Sequence, residues 1–183
     1  MMKIELGGGN KPAGNGFINV DKWAHESVNV VCDFEKDPLP FESNSVDEIY
    51  SSHCFEHLDH LFNVIHEIVR VCKDGAKVVI RTPHPFAETA MCPSVHPFPG
   101  HKNVLSPWWW TDAVNMLKLE LPGSIPGELV IKGFEFNRSH KAKPLPEGFI
   151  KLFGSPSEAE EFADTHFCGR FFDFAVIAIV RKK

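Results

Sequence analysis

The chain lacks any run of about 18 apolar residues, so no transmembrane helix is expected. Its opening, Met-Met-Lys-Ile-Glu-Leu-Gly, holds no apolar stretch with a cleavage site behind it, so a secretory leader is not expected and a cytoplasmic location is. Cysteine is too scarce and too scattered for a disulfide framework: there are five, an odd number, with no CxxC pair. A basic excess is missing as well. Nineteen Lys and Arg against 24 Asp and Glu leave a formal net charge of -5, which argues against a general grip on extended nucleic acid. Tyrosine occurs once, and neither an internal repeat nor a domain linker is visible. The 183 residues suit a single domain, 1–183, with a real apolar core.

Short apolar runs and sharp turns are plentiful. Lys3–Leu6 reads as a strand that runs directly into Gly7, Gly8 and Gly9. Phe17–Val20 and Val28–Cys32 read as the next two strands, each followed by an aspartate, Asp21 and Asp33. Val46–Ser51 reads as a fourth strand. In Asp59–Cys72 the apolar residues Leu61, Phe62, Ile65, Ile68, Val69 and Cys72 recur at spacings of three and four, which predicts a helix with one buried face. Asp74-Gly75 is expected to end that helix and open a fifth strand, Ala76–Arg81. Thr82–Pro107 is rich in Pro and His and predicts an irregular binding loop or lid. Ser106-Pro107 is a helix start, with Ser as cap, for a helix to about Leu119. Glu128–Phe136 and Phe171–Val180 read as the last two strands, and Ser155-Pro156-Ser157-Glu158 as another helix start. Strands ending in polar turns, with helices between the later ones, imply a largely parallel α/β sheet.

Three features coincide at the carboxyl ends of the early strands, where open α/β sheets bind ligands. The glycines after Leu6 allow a tight turn and close backbone approach to a ligand. Asp21 offers a carboxylate that can take both hydroxyls of a ribose. Asp33-Phe34 offers a carboxylate for an adenine amino group with a ring beside it to cover the base.

Together with Leu39-Pro40-Phe41, Ser45-Val46-Asp47, Phe55-Glu56-His57-Leu58 and Asp74-Gly75-Ala76-Lys77-Val78-Val79-Ile80, this pattern resembles the class I S-adenosylmethionine-dependent methyltransferases, in particular the type 11 branch. The resemblance implies a Rossmann-like seven-stranded sheet of order 3-2-1-4-5-7-6 with the last strand antiparallel, and S-adenosyl-L-methionine as cofactor. It implies a cofactor-binding set of Glu5, Gly7, Gly8, Gly9, Asp21, Asp33, Phe34, Ser52 and His53. Two departures stand out: Lys11-Pro12 replaces the family's third glycine, and only ten residues, Gly7–Gly16, join the first two strands. The first crossover helix is therefore expected to be one turn or absent.

The implied reaction is methyl transfer to an O, N or C nucleophile on a small-molecule acceptor. A non-catalytic S-adenosylmethionine-binding module or partner subunit is the alternative. Imidazole titrates near neutral pH, so His101 and His57 are the candidates for a catalytic base. His53, His57 and His60 would share one face of a continuing helix. His84, Cys92, His96 and His101 add potential ligands, yet the spacings match no established metal motif and no metal is expected. Of Trp108, Trp109 and Trp110, adjacent on a helix, only one or two are expected to face the core.

Overall fold

The computed structural model describes residues 1–14, 16–85, 100–112, 127–138, 147–159, 161 and 171–182. Seven strands form one sheet: β1 Lys3–Leu6, β2 Ile18–Asp21, β3 Val30–Val31, β4 Val46–Ser52, β5 Cys72–Pro83, β6 Gly127–Arg138 and β7 Phe171–Lys182. The order is β3-β2-β1-β4-β5-β7-β6. β1 to β5 run parallel, while β7 is antiparallel to both β5 and β6. This is the implied Rossmann-like methyltransferase sheet. Ile4, Leu6, Val20, Ile49, Val78 and Ile80 are buried in its centre.

The crossover from β1 to β2 contains no helix among the described residues. Hydrogen bonds hold it instead. Gly7 N–H donates to the Val20 carbonyl at 2.8 Å, and Ala13 N–H to Glu5 Oε2 at 2.6 Å. The Asn19 amide donates to the carbonyls of Gly9 and Ser27, both at 3.0 Å. A loop too short for a helix thus satisfies its polar groups through buried side chains of the strands below it.

Helix α1 spans Leu61–Val71 and buries Leu61, Ile65, Ile68 and Val69 of the predicted stripe together with Val64 and Val71, while Phe62 is half-buried. It starts later than expected because Leu58 is extended, with ψ 145°. Glu35 Oε1 accepts from the Asp59 and His60 N–H groups at 2.5 and 2.9 Å, in the turn before the helix. The helix also ends before Asp74-Gly75. Cys72 is already extended, fully buried and paired with Val46, so β5 begins there. Gly75, at φ 75°, then turns inside an irregular stretch of β5 rather than at a helix end.

Residues 107–112 form the described part of helix α2, with Ser106 Oγ accepting the Trp109 N–H at 2.9 Å as a cap. Trp110 is fully buried against Phe55, Trp109 is half-buried against Phe62, and Trp108 is 74% exposed. The expected continuation to Leu119 lies outside the described residues, as do Cys92 and His96. Glu147–Ile150 forms the short α3, and residues 156–159 form α4, capped by Ser155 Oγ. No helix among the described residues is long and apolar enough to cross a membrane.

Candidate active site

A cavity of about 180 Å³ opens at the carboxyl ends of β1, β2, β3 and β4. Its lining includes Gly7, Asp21, Asp33, Phe34, His53 and His57 from the expected set, joined by Trp23, Cys54 and Leu58. Glu5, Gly8, Gly9, Ser52 and His101 are not among the lining residues. Glu5 is buried beneath the crossover, where burial pushes its carboxyl pKa up against the pull of the Ala13 N–H. A Cβ on Gly8 would stand 2.5 Å from Asn19 Oδ1, so the loop rests directly on that buried amide. Ser52 ends β4 opposite Arg81 of β5.

Asp21 is fixed by the backbone around it. Its Oδ2 accepts the Gly9 N–H at 3.0 Å and its Oδ1 the Trp23 N–H at 2.9 Å. The side chain is thus aimed before any ligand arrives, and each oxygen keeps a further lone pair. Gly7 has φ 74°, a region that favours glycine, and a Cβ there would fall 2.3 Å from Cys54 Sγ. The glycine turn therefore packs onto the post-β4 loop as tightly as the backbone allows. Asp33 lies at the far wall, where the Lys36 ammonium, 2.8 Å away, holds its carboxyl below the usual range.

The opposite end is built after β4. His53 adopts φ 52°, unusual for a residue with a side chain. Its Nδ1 lies 3.2 Å from Glu56 Oε1 and its Nε2 3.3 Å from Asp173 Oδ2. Carboxylates only accept, so both ring nitrogens donate and the ring is an imidazolium. Hydrogen bonds to Asp173 and Glu56 raise its pKa to about 9 despite burial. Asp173 also accepts from Arg81 at 3.0 Å.

The shared helical face expected for His53, His57 and His60 does not form. Phe55–His57 is a single 3-10 turn, Leu58 is extended, and His60 merely precedes α1. His57 turns instead toward residues 100–103. Its Nδ1 donates to the Gly100 carbonyl at 3.1 Å, and its ring meets that of His101 edge-on with centroids 4.8 Å apart. The Lys102 and Asn103 N–H groups donate to the Glu56 carbonyl at 2.8 and 3.1 Å, and Asn103 Nδ2 donates to Leu58 O at 2.6 Å. The end of the expected lid is therefore docked onto the 3-10 turn, while its residues 86–99 lie outside the described residues.

Sequence reasoning missed Asn19, Glu56 and Asp173. Asn19 and Asp173 had one signal each: a polar side chain within an otherwise apolar strand, later found buried.

Residues 15–80 match the family model described as "Methyltransferase domain". The fold matches a SAM-dependent methyltransferase from Archaeoglobus fulgidus at TM-score 0.65 and 20% identity, over 97% of this chain and 85% of that one. A second match is an S-adenosylmethionine-dependent methyltransferase from Mesorhizobium loti, at TM-score 0.56 and 14% identity, over 97% and 90% of the two chains. A third is a chain from the Haloferax volcanii complex of the Trm112 methyltransferase activator, at TM-score 0.56 and 13% identity, over 100% and 82%. No curated protein matches the sequence significantly. Over residues 15–80 the chain is similar to a methyltransferase domain, and its fold is the one these methyltransferase structures share. S-adenosylmethionine is the cofactor of this class, and methyl transfer its reaction. These likenesses do not favour a purely non-catalytic binding module.

Proposed function

We propose that this methyltransferase transfers the methyl group to an O, N or C nucleophile of a small acceptor that enters beside His57 and His101. One observation carries the reading: a single cavity has Asp21 and Asp33 at one end and His53 and His57 at the other. That is the order of groups needed to hold a nucleoside at one end and chemistry at the other.

The residues fit the cofactor. Asp21, oriented by two backbone N–H groups, has lone pairs left for the ribose hydroxyls. Asp33, with its Oδ2 on Lys36, keeps Oδ1 for the adenine amino group, and Phe34 and Leu58 supply apolar walls. Gly7 and Gly9 bring the backbone close to the methionine end, with Glu5 and Gly8 supporting their turn from below and Ser52 and His53 closing the post-β4 side. The bound cofactor supplies the methyl electrophile, so the protein's task is to position two reactants. In this reading the acceptor lies beside the paired rings of His57 and His101, and an imidazole there receives its proton. The net negative charge disfavours a polyanion, which supports a small acceptor.

The test measures S-adenosylhomocysteine released when the protein and cofactor meet the filtrate or the retentate of a cell extract passed through a small-pore membrane. Product with the filtrate is expected. His101→Ala should lower that turnover while cofactor affinity stays within about twofold, since the substitution leaves the carboxylate contacts in place. Product with the retentate alone would refute a small acceptor.

A further inference from the structure

We propose that Glu56, His57 and His101 form a binding site for one divalent first-row transition-metal ion beside the post-β4 side of the cavity, which His57 lines. Binding of the ion is independent of the reading above. Its part in turnover rests on the acceptor lying beside these histidines.

Three observations converge. First, one ligating atom from each of the three residues lies within 4.8 Å of the others. Metal bonds of roughly 2.0–2.2 Å place neighbouring ligand atoms about 3–3.5 Å apart, so small side-chain rotations complete the set. Second, Glu56 is 1% exposed, and its Oε2 has no hydrogen-bond partner among the described residues. A buried carboxylate oxygen left bare is costly, and a cation is the partner that removes the cost. Third, His57 Nδ1 is committed to the Gly100 carbonyl. That bond fixes the tautomer with the proton on Nδ1 and leaves the lone pair on Nε2, the arrangement typical of metal-bound histidine. His101 Nε2 lies 4.0 Å from Glu56 Oε1.

The sequence spacing gives no hint of such a site. Glu56 and His57 are adjacent on a 3-10 turn, and His101 is brought to them by the Lys102 and Asn103 N–H bonds to the Glu56 carbonyl. Two imidazoles and one carboxylate suit iron, manganese, cobalt or zinc better than magnesium or calcium, which prefer oxygen. Three protein ligands leave positions open. An ion there offers a Lewis acid to the acceptor's oxygen or nitrogen and lowers that group's pKa, so its proton departs to water. The two imidazoles then serve as ligands, and proton removal no longer depends on their basicity.

The experiment uses the full chain, stripped with chelator and titrated with cobalt(II). The visible d–d bands report inner-sphere coordination, and metal analysis after gel filtration gives stoichiometry. One cobalt per chain is expected, displaced by zinc, with affinity at least tenfold weaker in His101→Ala and in Glu56→Gln and unchanged in His66→Ala. Should Glu56→Gln fail to fold, His101→Ala decides. Cofactor affinity is measured by calorimetry on the same samples. Cofactor binding without cobalt binding overturns the metal site alone, whereas cobalt binding without cofactor binding overturns the reading of the cavity. Cobalt affinity no tighter than millimolar, or equal in the parent and His101→Ala, refutes the proposal.

Discussion

Replacing Asp21 by Asn separates the two ways in which this carboxylate can serve the cofactor. Both oxygens accept backbone N–H groups, from Gly9 at 3.0 Å and Trp23 at 2.9 Å. An amide retains one acceptor oxygen and turns its NH₂ toward the other N–H, so one of these bonds is lost and the glycine turn loosens. The ribose hydroxyls then meet a neutral amide instead of a carboxylate. Losing a charge-assisted hydrogen bond costs about 1.5–3 kcal/mol, or roughly ten- to a hundredfold in Kd. The assay is isothermal titration with S-adenosylmethionine and, separately, with S-adenosylhomocysteine, alongside a thermal melt to confirm folding. The ribose is common to both ligands, and only the first carries the sulfonium charge. A ribose contact predicts equal losses for the two. A loss confined to S-adenosylmethionine would mean that Asp21 acts through long-range attraction to the sulfonium. Unchanged affinity for both, in a folded variant, would refute the assignment outright.

Gly7→Ala should destabilise the fold by about 2–4 kcal/mol, combining the left-handed backbone with the clash on Cys54; a double-mutant cycle with Cys54→Gly should show coupling of about 1 kcal/mol or more, and additivity would disprove the contact. Glu67 accepts from Arg70 at two positions and from the Leu39 N–H; burial pushes its carboxyl pKa up, but these bonds outweigh it and the net shift is downward. Its stabilisation is therefore complete above the ordinary value of 4.5 and is lost as pH falls through the lower folded value, so a deficit of about 1–2 kcal/mol in Glu67→Gln at pH 7 should shrink below pH 4.5 in urea titrations. Cys54 lines the cavity, yet burial and nearby carboxylates push its thiol up to about 12. Mass spectrometry after brief iodoacetamide treatment at pH 8 should find it unmodified in the folded protein and alkylated after unfolding.

Much of this molecule could be read from local sequence because the signals concerned are local. The apolar spacing of residues 61–71 specifies a helix with one buried face, and each of the first strands announces its end by a glycine or an aspartate. Ten residues between the first two strands already forbid a full crossover helix. The helix limits were read less well, because Leu58 and Cys72 are extended by contacts that local spacing does not record. Cys72 leaves α1 to pair with Val46, a neighbour only once the sheet exists. The strand order was legible only through resemblance to a family, since periodicity says which face of a strand is buried and nothing about which strand lies beside it.

The post-β4 side of the cavity was decided by tertiary structure. His53 meets Asp173, 120 residues away, and His57 meets Gly100, 43 away. Such pairs exist because β7 inserts beside β5 and because residues 100–103 dock on the 3-10 turn, and neither event leaves a periodic trace in the chain. Asn19 and Glu56 show the same limit. Each is a polar residue whose importance comes from being buried, and burial belongs to the packed fold. Sequence alone determined which segments become strands and helices and where their polar ends fall; only the packed sheet decided which of those ends meet, because contacts across the sheet depend on strand order and docking rather than on spacing along the chain.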